Sequence, residues 1–258
     1  MNNRLYYKAC LIALLFSAGL IIAGIIFPAL GLINNPGRTK CKRDALKLLW
    51  LRWFSKILNL KITSTGTSCS SGCLMVSNHI SWLDIIVLGC FSPAHFVAKS
   101  DITSWPVVGY LAKQGGTVFV KRGDKQQVKA ITEALIWLLK QNRTVIAFPE
   151  GTTTKGDTVL PFHTSLFQSA ILTKKPVQAI SIQYKGVAKE LAPFIGDDSF
   201  LPHLFTILSL KEVEVKIDFL PVITPTGKTR QTISNEVREL ILSGVTAENI
   251  NAANYRTK

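Results

Sequence analysis

The sequence predicts an α/β fold behind a membrane-anchoring N-terminal segment. Three observations predict it. From Gly72 onward, short apolar or alternating runs of strand type recur between stretches of helical period. Before them, Cys10 to Ile33 runs 24 positions without a charged residue. The whole chain of 258 residues is both basic, with a formal net charge of +14, and apolar, with 47% hydrophobic residues.

The N-terminal run, CLIALLFSAGLIIAGIIFPALGLI, is long enough as a helix to cross a bilayer core of roughly 30 Å, with Pro28 as a point of kinking. It is longer than the apolar stretch of a signal peptide, and no small-residue cleavage site follows it, so a retained anchor is expected. Residues 38–61 carry eight bases and one acid, Asp44. The positive-inside rule puts this side in the cytoplasm, and the expected location is the inner (cytoplasmic) membrane with the following domain on its cytoplasmic face. Asp44–Leu60 is amphipathic through Leu46, Leu49, Trp50, Trp53, Ile57 and Leu58. Interfacial tryptophans and bases suit a helix in the headgroup layer, and a core helix gives the same pattern. The two helices together could also form a hairpin in one leaflet.

Residues 62–71 (ITSTGTSCSS) read as a polar linker, so the expected division is anchor and interfacial helix 1–61, main domain 72–245 and tail 246–258. Within the domain, strands are expected over 72–77, 95–99, 117–121, 144–148, 177–184 and 213–220. Helices are expected over 81–90, 104–113, 124–141, 163–173 and 229–243. Residues 185–210 read as an irregular lid or acceptor loop, and the tail beyond 245 as frayed. Asn142-Arg143-Thr144 is a glycosylation sequon that a cytosolic domain leaves unused.

Charge of this size calls for an anionic partner: nucleic acid, anionic lipid headgroups or an acidic carrier protein. Neither a zinc finger nor a ribonucleoprotein motif is present, and charge joined to hydrophobicity favours membrane lipids, so no nucleic-acid partner is expected. The five cysteines include no CxxC, and Cys69-x-x-x-Cys73 lacks a second ligand pair. Reduced thiols and no metal are expected.

Three stretches carry chemistry. Asn78-His79-Ile80-Ser81-Trp82-Leu83-Asp84 puts a histidine and a carboxylate five positions apart at a strand-to-helix turn. With His79 in the loop and Asp84 in the first helical turn, the carboxylate can reach back to Nδ1–H and leave Nε2 free as a general base. The bland alternative is a capping box, Ser81-x-x-Asp84, beside an ordinary loop histidine. Gly115-Gly116-Thr117-Val118-Phe119-Val120-Lys121-Arg122 ends a strand in a cation pair, where Arg122 can grip a phosphate or make only a surface ion pair. Phe148-Pro149-Glu150-Gly151-Thr152 follows another strand. It is either plain turn chemistry or a site where Glu150 enters the crevice and the amides of Gly151 and Thr152 meet an anion.

In that order and spacing, Asn-His-x-x-x-x-Asp, Gly-x-x-Phe-Val-x-Arg and Phe-Pro-Glu-Gly-Thr resemble the glycerolipid acyltransferase family over roughly residues 72–185. The resemblance implies a mixed sheet flanked by helices. It also implies transfer of a fatty acyl group from acyl-CoA or acyl-carrier protein to a lysophospholipid acceptor, lysophosphatidic acid above all, with no cofactor besides the donor. By position it implies His79 as base, Asp84 as its partner, and Gly116, Phe119, Arg122, Glu150, Gly151 and Thr152 as acceptor-binding residues. Two positions depart from the family pattern. Thr153 stands where many members have arginine, and Pro176-Val177-Gln178-Ala179-Ile180 lacks a second proline. Phe-Pro-Glu-Gly-Thr-Thr followed by Ser165-Leu166-Phe167 also resembles the branch that acylates lyso-ornithine lipid, whose headgroup is an amino acid. A non-catalytic membrane lipid-binding protein is the alternative of another class, and it has no need of His79 or Asp84.

Overall fold

The computed structural model describes residues 3–33, 35–70, 72–121 and 125–256. The chain runs α1 (Asn3–Ile21), a π-helical turn (Ile22–Ile26), α2 (Phe27–Gly31), α3 (Pro36–Leu58), β1 (Leu60–Thr65), β2 (Leu74–Ser77), α4 (Leu83–Gly89) and β3 (His95–Lys99). It continues with α5 (Val108–Gln114), β4 (Val118–Val120), α6 (Lys125–Lys140), β5 (Val145–Ala147), α7 (Gln168–Thr173) and β6 (Val177–Lys185). It ends with α8 (Ala188–Leu191), α9 (Phe200–Ser209), β7 (Val213–Ile223) and α10 (Arg230–Arg256).

The strands form one mixed sheet in the order β1-β7-β6-β2-β5-β3-β4. Strands β6, β2, β5, β3 and β4 are mutually parallel, and β7 turns antiparallel to β6 and pairs parallel with β1. Successive strand residues face opposite sides. Met75, Ile146, Ile180 and Ile182 therefore enter one core with Leu51, Phe54, Leu58, Leu83, Val87 and Ile207 from α3, α4 and α9. Leu74, Val76, Val145 and Ala179 enter the other, with Leu135, Phe167, Val237 and Ile241 from α6, α10 and the turn before α7. Because both faces are covered, β6 is buried along eight consecutive residues.

The apolar N-terminal helix runs lengthwise against α3. Trp50 Nε1 donates to the Leu15 carbonyl at 2.9 Å, and Phe16 meets both Trp50 and Phe54 edge-on. Lys8 Nζ reaches the carbonyls of Leu58 (3.2 Å) and Leu210 (2.8 Å), so one buried ammonium closes the C-terminal ends of α3 and α9. Pro28 gives the expected irregularity. It lacks an N–H and crowds the carbonyl four residues back, and the helix widens into a π turn over Ile22–Ile26 just ahead of it.

Several expectations are corrected. Residues 62–65 are not linker but part of the edge strand β1, polar because all six of its residues are at least partly open to solvent beyond the single side it pairs. Gly66 ends it at φ +72°, where a Cβ would lie 2.0 Å from the Phe219 carbonyl oxygen. The amphipathic helix does not spend its apolar stripe on a lipid surface alone. Leu51, Phe54 and Leu58 are core residues, and Leu49 and Trp53 stay exposed. Residues 185–210 are not irregular, because α8 and α9 lie there, with Pro202 tolerated in the first turn of α9. The final helix continues through the expected tail to Arg256. In the sequon, Arg143 makes a bidentate pair with Asp44, with both contacts at 2.7 Å.

Candidate active site

Parallel strands β2 and β5 deliver their following loops to the same edge of the sheet, which brings His79 and Glu150 together. Asn78, buried, fixes the first loop: its side chain pairs with the backbone N–H and carbonyl of Ile182 at 2.8 and 3.0 Å, like one more strand residue. The chain then turns, and α4 begins at Leu83.

Asp84 lies in the first turn of α4 and is wholly buried. Its Oδ2 accepts His79 Nδ1 at 2.8 Å, Ile80 N at 2.8 Å and Ser81 N at 3.0 Å. Its Oδ1 accepts the Tyr184 hydroxyl at 2.8 Å. The carboxylate thus makes the reciprocal half of the capping box and holds the histidine at once. Ser81 Oγ caps nothing. Burial, with the Asp84 charge beside it, raises the Tyr184 phenol well above its usual range, so it remains a donor.

With Nδ1–H committed to the carboxylate, Nε2 of His79 is the ring nitrogen left to accept a proton. The imidazole stacks on Phe148, with centroids 4.0 Å apart and planes 14° apart. Its side chain is 20% exposed over a carboxylate of zero exposure, so the ring is reachable while its anchor is not. A buried carboxylate favours the imidazolium that proton abstraction creates.

Glu150 takes a different place from the one expected. It is 6% exposed. One carboxylate oxygen accepts His79 N at 2.9 Å and the other accepts Leu160 N at 2.8 Å. Burial pushes its carboxyl up, against the pull of these two amides. It therefore staples the two loops rather than reaching into the crevice. The Gly151 amide is also committed, to the Phe148 carbonyl at 3.1 Å, in a turn that needs its φ of +67°. Thr152 stands next to it, half-buried. Thr153, at the position where arginine is common, donates its hydroxyl to the Phe194 carbonyl. Thr154 N donates to His79 O, and Phe194 N to Ile80 O, each at 2.9 Å. The segment leading to α9 is thereby stitched to both of these loops.

Gly116 is not brought to His79. It precedes β4, at the opposite, N-terminal edge of the parallel strands, with φ +82° and a carbonyl that accepts His95 Nδ1 at 2.8 Å. A Cβ there would lie 2.5 Å from that nitrogen. Phe119 lies in β4, paired with Ala98, on the edge strand three places from β2. Arg122 lies outside the described residues. Sequence reasoning missed Tyr184, Phe148 and the pairing role of Asn78. Tyr184 is 100 residues from its partner near the end of a strand buried along nearly its whole length, and nothing local marks it.

Residues 59–183 match the profile of the acyltransferase family. A lyso-ornithine lipid O-acyltransferase of Pseudomonas aeruginosa is 34% identical over 201 residues, covering 77% of this chain and 78% of that protein. This chain belongs to the glycerolipid acyltransferase family. A 1-acyl-sn-glycerol-3-phosphate acyltransferase of Neisseria gonorrhoeae is 33% identical over 187 residues, 71% of this chain and 73% of that one. The crystal structure of the 1-acyl-sn-glycerophosphate acyltransferase of Thermotoga maritima shares the fold, with a TM-score of 0.67 over 95% of this chain and 98% of that one at 19% identity. The acyltransferase fold here is the expected mixed sheet flanked by helices, with an apolar N-terminal helix, Asn3–Gly31, long enough to cross a membrane.

Proposed function

We propose that this acyltransferase is membrane-bound and moves a fatty acyl group from acyl-CoA or acyl-carrier protein to the sn-2 hydroxyl of lysophosphatidic acid. The observation that carries the reading is the His79–Asp84 pair, with Nδ1 held at 2.8 Å and Nε2 left open. Nε2 takes the acceptor hydroxyl proton as that oxygen attacks the thioester carbonyl. A C–O bond forms, the C–S bond breaks on collapse of the tetrahedral intermediate, and the imidazolium returns its proton to the departing thiolate. No acyl-enzyme is needed. Arg122 would hold the acceptor phosphate, and Glu150 acts by keeping the His79 and Leu160 loops in register.

A second acceptor, lyso-ornithine lipid, is favoured by one position. Thr153 brings no cation, and its hydroxyl is engaged by Phe194. A site with one cation fewer suits an amino-acid headgroup better than a phosphate monoester. The anchor is read as a hairpin in the cytoplasmic leaflet, because α1 runs along α3, which packs on the catalytic domain. Membranes carrying wild type or His79→Ala, offered both lysolipids with a labelled thioester donor, test the reading. The variant is expected to lose about 100- to 10,000-fold in transfer. Near-normal transfer by the variant sinks the mechanism, and preference for lyso-ornithine lipid keeps it and moves the acceptor. No transfer by folded wild type returns the chain to the non-catalytic lipid-binding reading.

A further inference from the structure

A helix packed on a sheet ordinarily turns its apolar stripe inward and its charges outward. The first half of α3 departs from this, with Arg43, Asp44 and Lys47 partly buried and Lys40 exposed beside them. Lys40, Arg43, Asp44 and Lys47 recur at i, i+3, i+4 and i+7, so they share one face. That face lines a cavity of about 470 Å³ at the N-terminal edge of the parallel strands, which Lys113 and Arg143 also line.

The charges there do not balance. Five cations meet one carboxylate, Asp44, which Arg143 occupies through both oxygens. Lys47 is held only by neutral carbonyls, Ala94 O at 2.8 Å and Gly115 O at 3.1 Å. Burial, with Arg143 and Arg43 nearby, lowers it to about 8 despite Asp44. Arg43 lies over the Phe27 ring, 4.4 Å from its centre. His95 offers no relief, because both its nitrogens are taken, by Gly116 O and Arg143 Nε, and the ring is neutral. Arg43, Lys47 and Arg143 are partly buried, with Lys40 and Lys113 exposed around them. Such an excess of cations over one carboxylate is costly, and an anion entering the cavity lowers that cost.

The remaining walls say which anion. Phe27 and Pro36 come from the two sides of the turn in the apolar hairpin. The same turn exposes Leu32 at 88%, with Ile25 and Ile33 also exposed. Clustered guanidinium and ammonium groups suit a phosphate, and the adjoining apolar surface suits acyl chains. The geometry points to a phosphate site for an anionic membrane phospholipid, with the headgroup in this cavity and the chains against the hairpin turn. It lies at the sheet edge opposite His79, so it is separate from the acceptor site. It fixes the depth of the hairpin and ties the enzyme to the anionic content of its membrane.

Vesicle flotation of the purified full chain tests this. Phosphatidylcholine vesicles with and without one-fifth phosphatidylglycerol are compared for wild type, Lys40→Gln/Arg43→Gln/Lys113→Gln, and a control of equal charge change outside the cavity, Lys61→Gln/Lys129→Gln/Lys211→Gln. Each base near an anionic surface accounts for roughly five-fold in binding. A built site predicts that the cavity variant loses the phosphatidylglycerol preference by at least about ten-fold more than the control does. Equal losses in the two variants would assign the preference to diffuse charge and overturn the proposal. Millimolar inorganic phosphate stabilising detergent-held wild type, but not the cavity variant, with no phosphatidylglycerol preference, would assign the cavity to free phosphate and overturn it as well. Circular dichroism melts establish that both variants fold. The assay runs equally on His79→Ala protein, so its outcome is independent of the catalytic reading.

Discussion

Two histidines stand at opposite edges of the same parallel strands, and their surroundings differ in kind. His79, after β2, has one ring nitrogen on a buried carboxylate and the other open. His95, at the start of β3, has Nδ1 on the Gly116 carbonyl and Nε2 accepting Arg143 Nε, with Lys47 and Arg143 as charged neighbours. An anion beside the ring favours taking up a proton, whereas cations beside it, with both nitrogens occupied, forbid it. Reactivity here is a matter of what is left unpaired, and burial alone does not confer it. His95 is a strut linking three elements, and His79 keeps open the nitrogen that the proposed proton transfer uses.

The sharpest way to break the contrast is to remove the charge behind His79 without removing its hydrogen bonds. In Asp84→Asn, the amide oxygen can still accept His79, Ile80 and Ser81, and the amide N–H₂ can donate to the Tyr184 oxygen. The fold should survive, but the imidazolium loses its counter-charge. Steady-state transfer is expected to fall by about 100-fold or more in kcat, with KM little changed. A drop confined to KM would mean that Asp84 only shapes the binding site.

The other edge should answer with stability rather than rate. Arg143→Ala leaves Asp44 half-buried and unpaired and takes the donor from His95 Nε2. A loss of about 2–3 kcal/mol in denaturant unfolding is expected, with transfer per folded molecule nearly unchanged. The pH dependence follows from His95. Its folded value is lowered to about 4, first by burial and then by Lys47, with Arg143 adding and Asp44 opposing. Between about 6.5 and 4 the unfolded chain binds a proton that the folded chain refuses, so stability falls as pH falls through that window. On the order of 2 kcal/mol should separate wild type from His95→Gln across it, because glutamine keeps a donor for Gly116 and an acceptor for Arg143 without titrating. Parallel stability curves for the two proteins would remove His95 from the account.

The comparison also marks what a sequence can disclose. The alternation of strands and helices, and the strand-to-turn placement of His79 and Asp84, follow from local periodicity, and they stand in the structure. Glu150 was misjudged because its partners, the amides of His79 and Leu160, lie 71 and 10 residues away, and spacing cannot tell a carboxylate facing a crevice from one stapling loops. Gly116 was misjudged for a topological reason: it precedes β4, so it stands at the edge of the parallel strands opposite His79. β1 was missed because an edge strand need bury none of its residues fully, and Ile62 amid threonines and serines resembles a linker. In α3 the charged stripe at i, i+3, i+4 and i+7 was visible, yet only the fold shows that it lines a cavity with Lys113 and Arg143.

Tyr184 gives the smallest effect and the most direct measure of how the carboxylate is held. The phenol is buried at the end of β6 and bonds only Asp84 Oδ1, the oxygen that does not touch His79. Tyr184→Phe keeps the ring in the core and leaves one lone pair of a buried, charged oxygen without its donor. The stability cost should be about 1–2 kcal/mol, because hydrogen bonds to charged groups lie above the neutral average. Asp84 would then be held by His79, Ile80 and Ser81 through Oδ2 alone, and its charge would concentrate towards the histidine. The catalytic effect should therefore be under about ten-fold in kcat. A loss as large as that of Asp84→Asn would mean that Tyr184 orients Asp84 rather than sharing its charge.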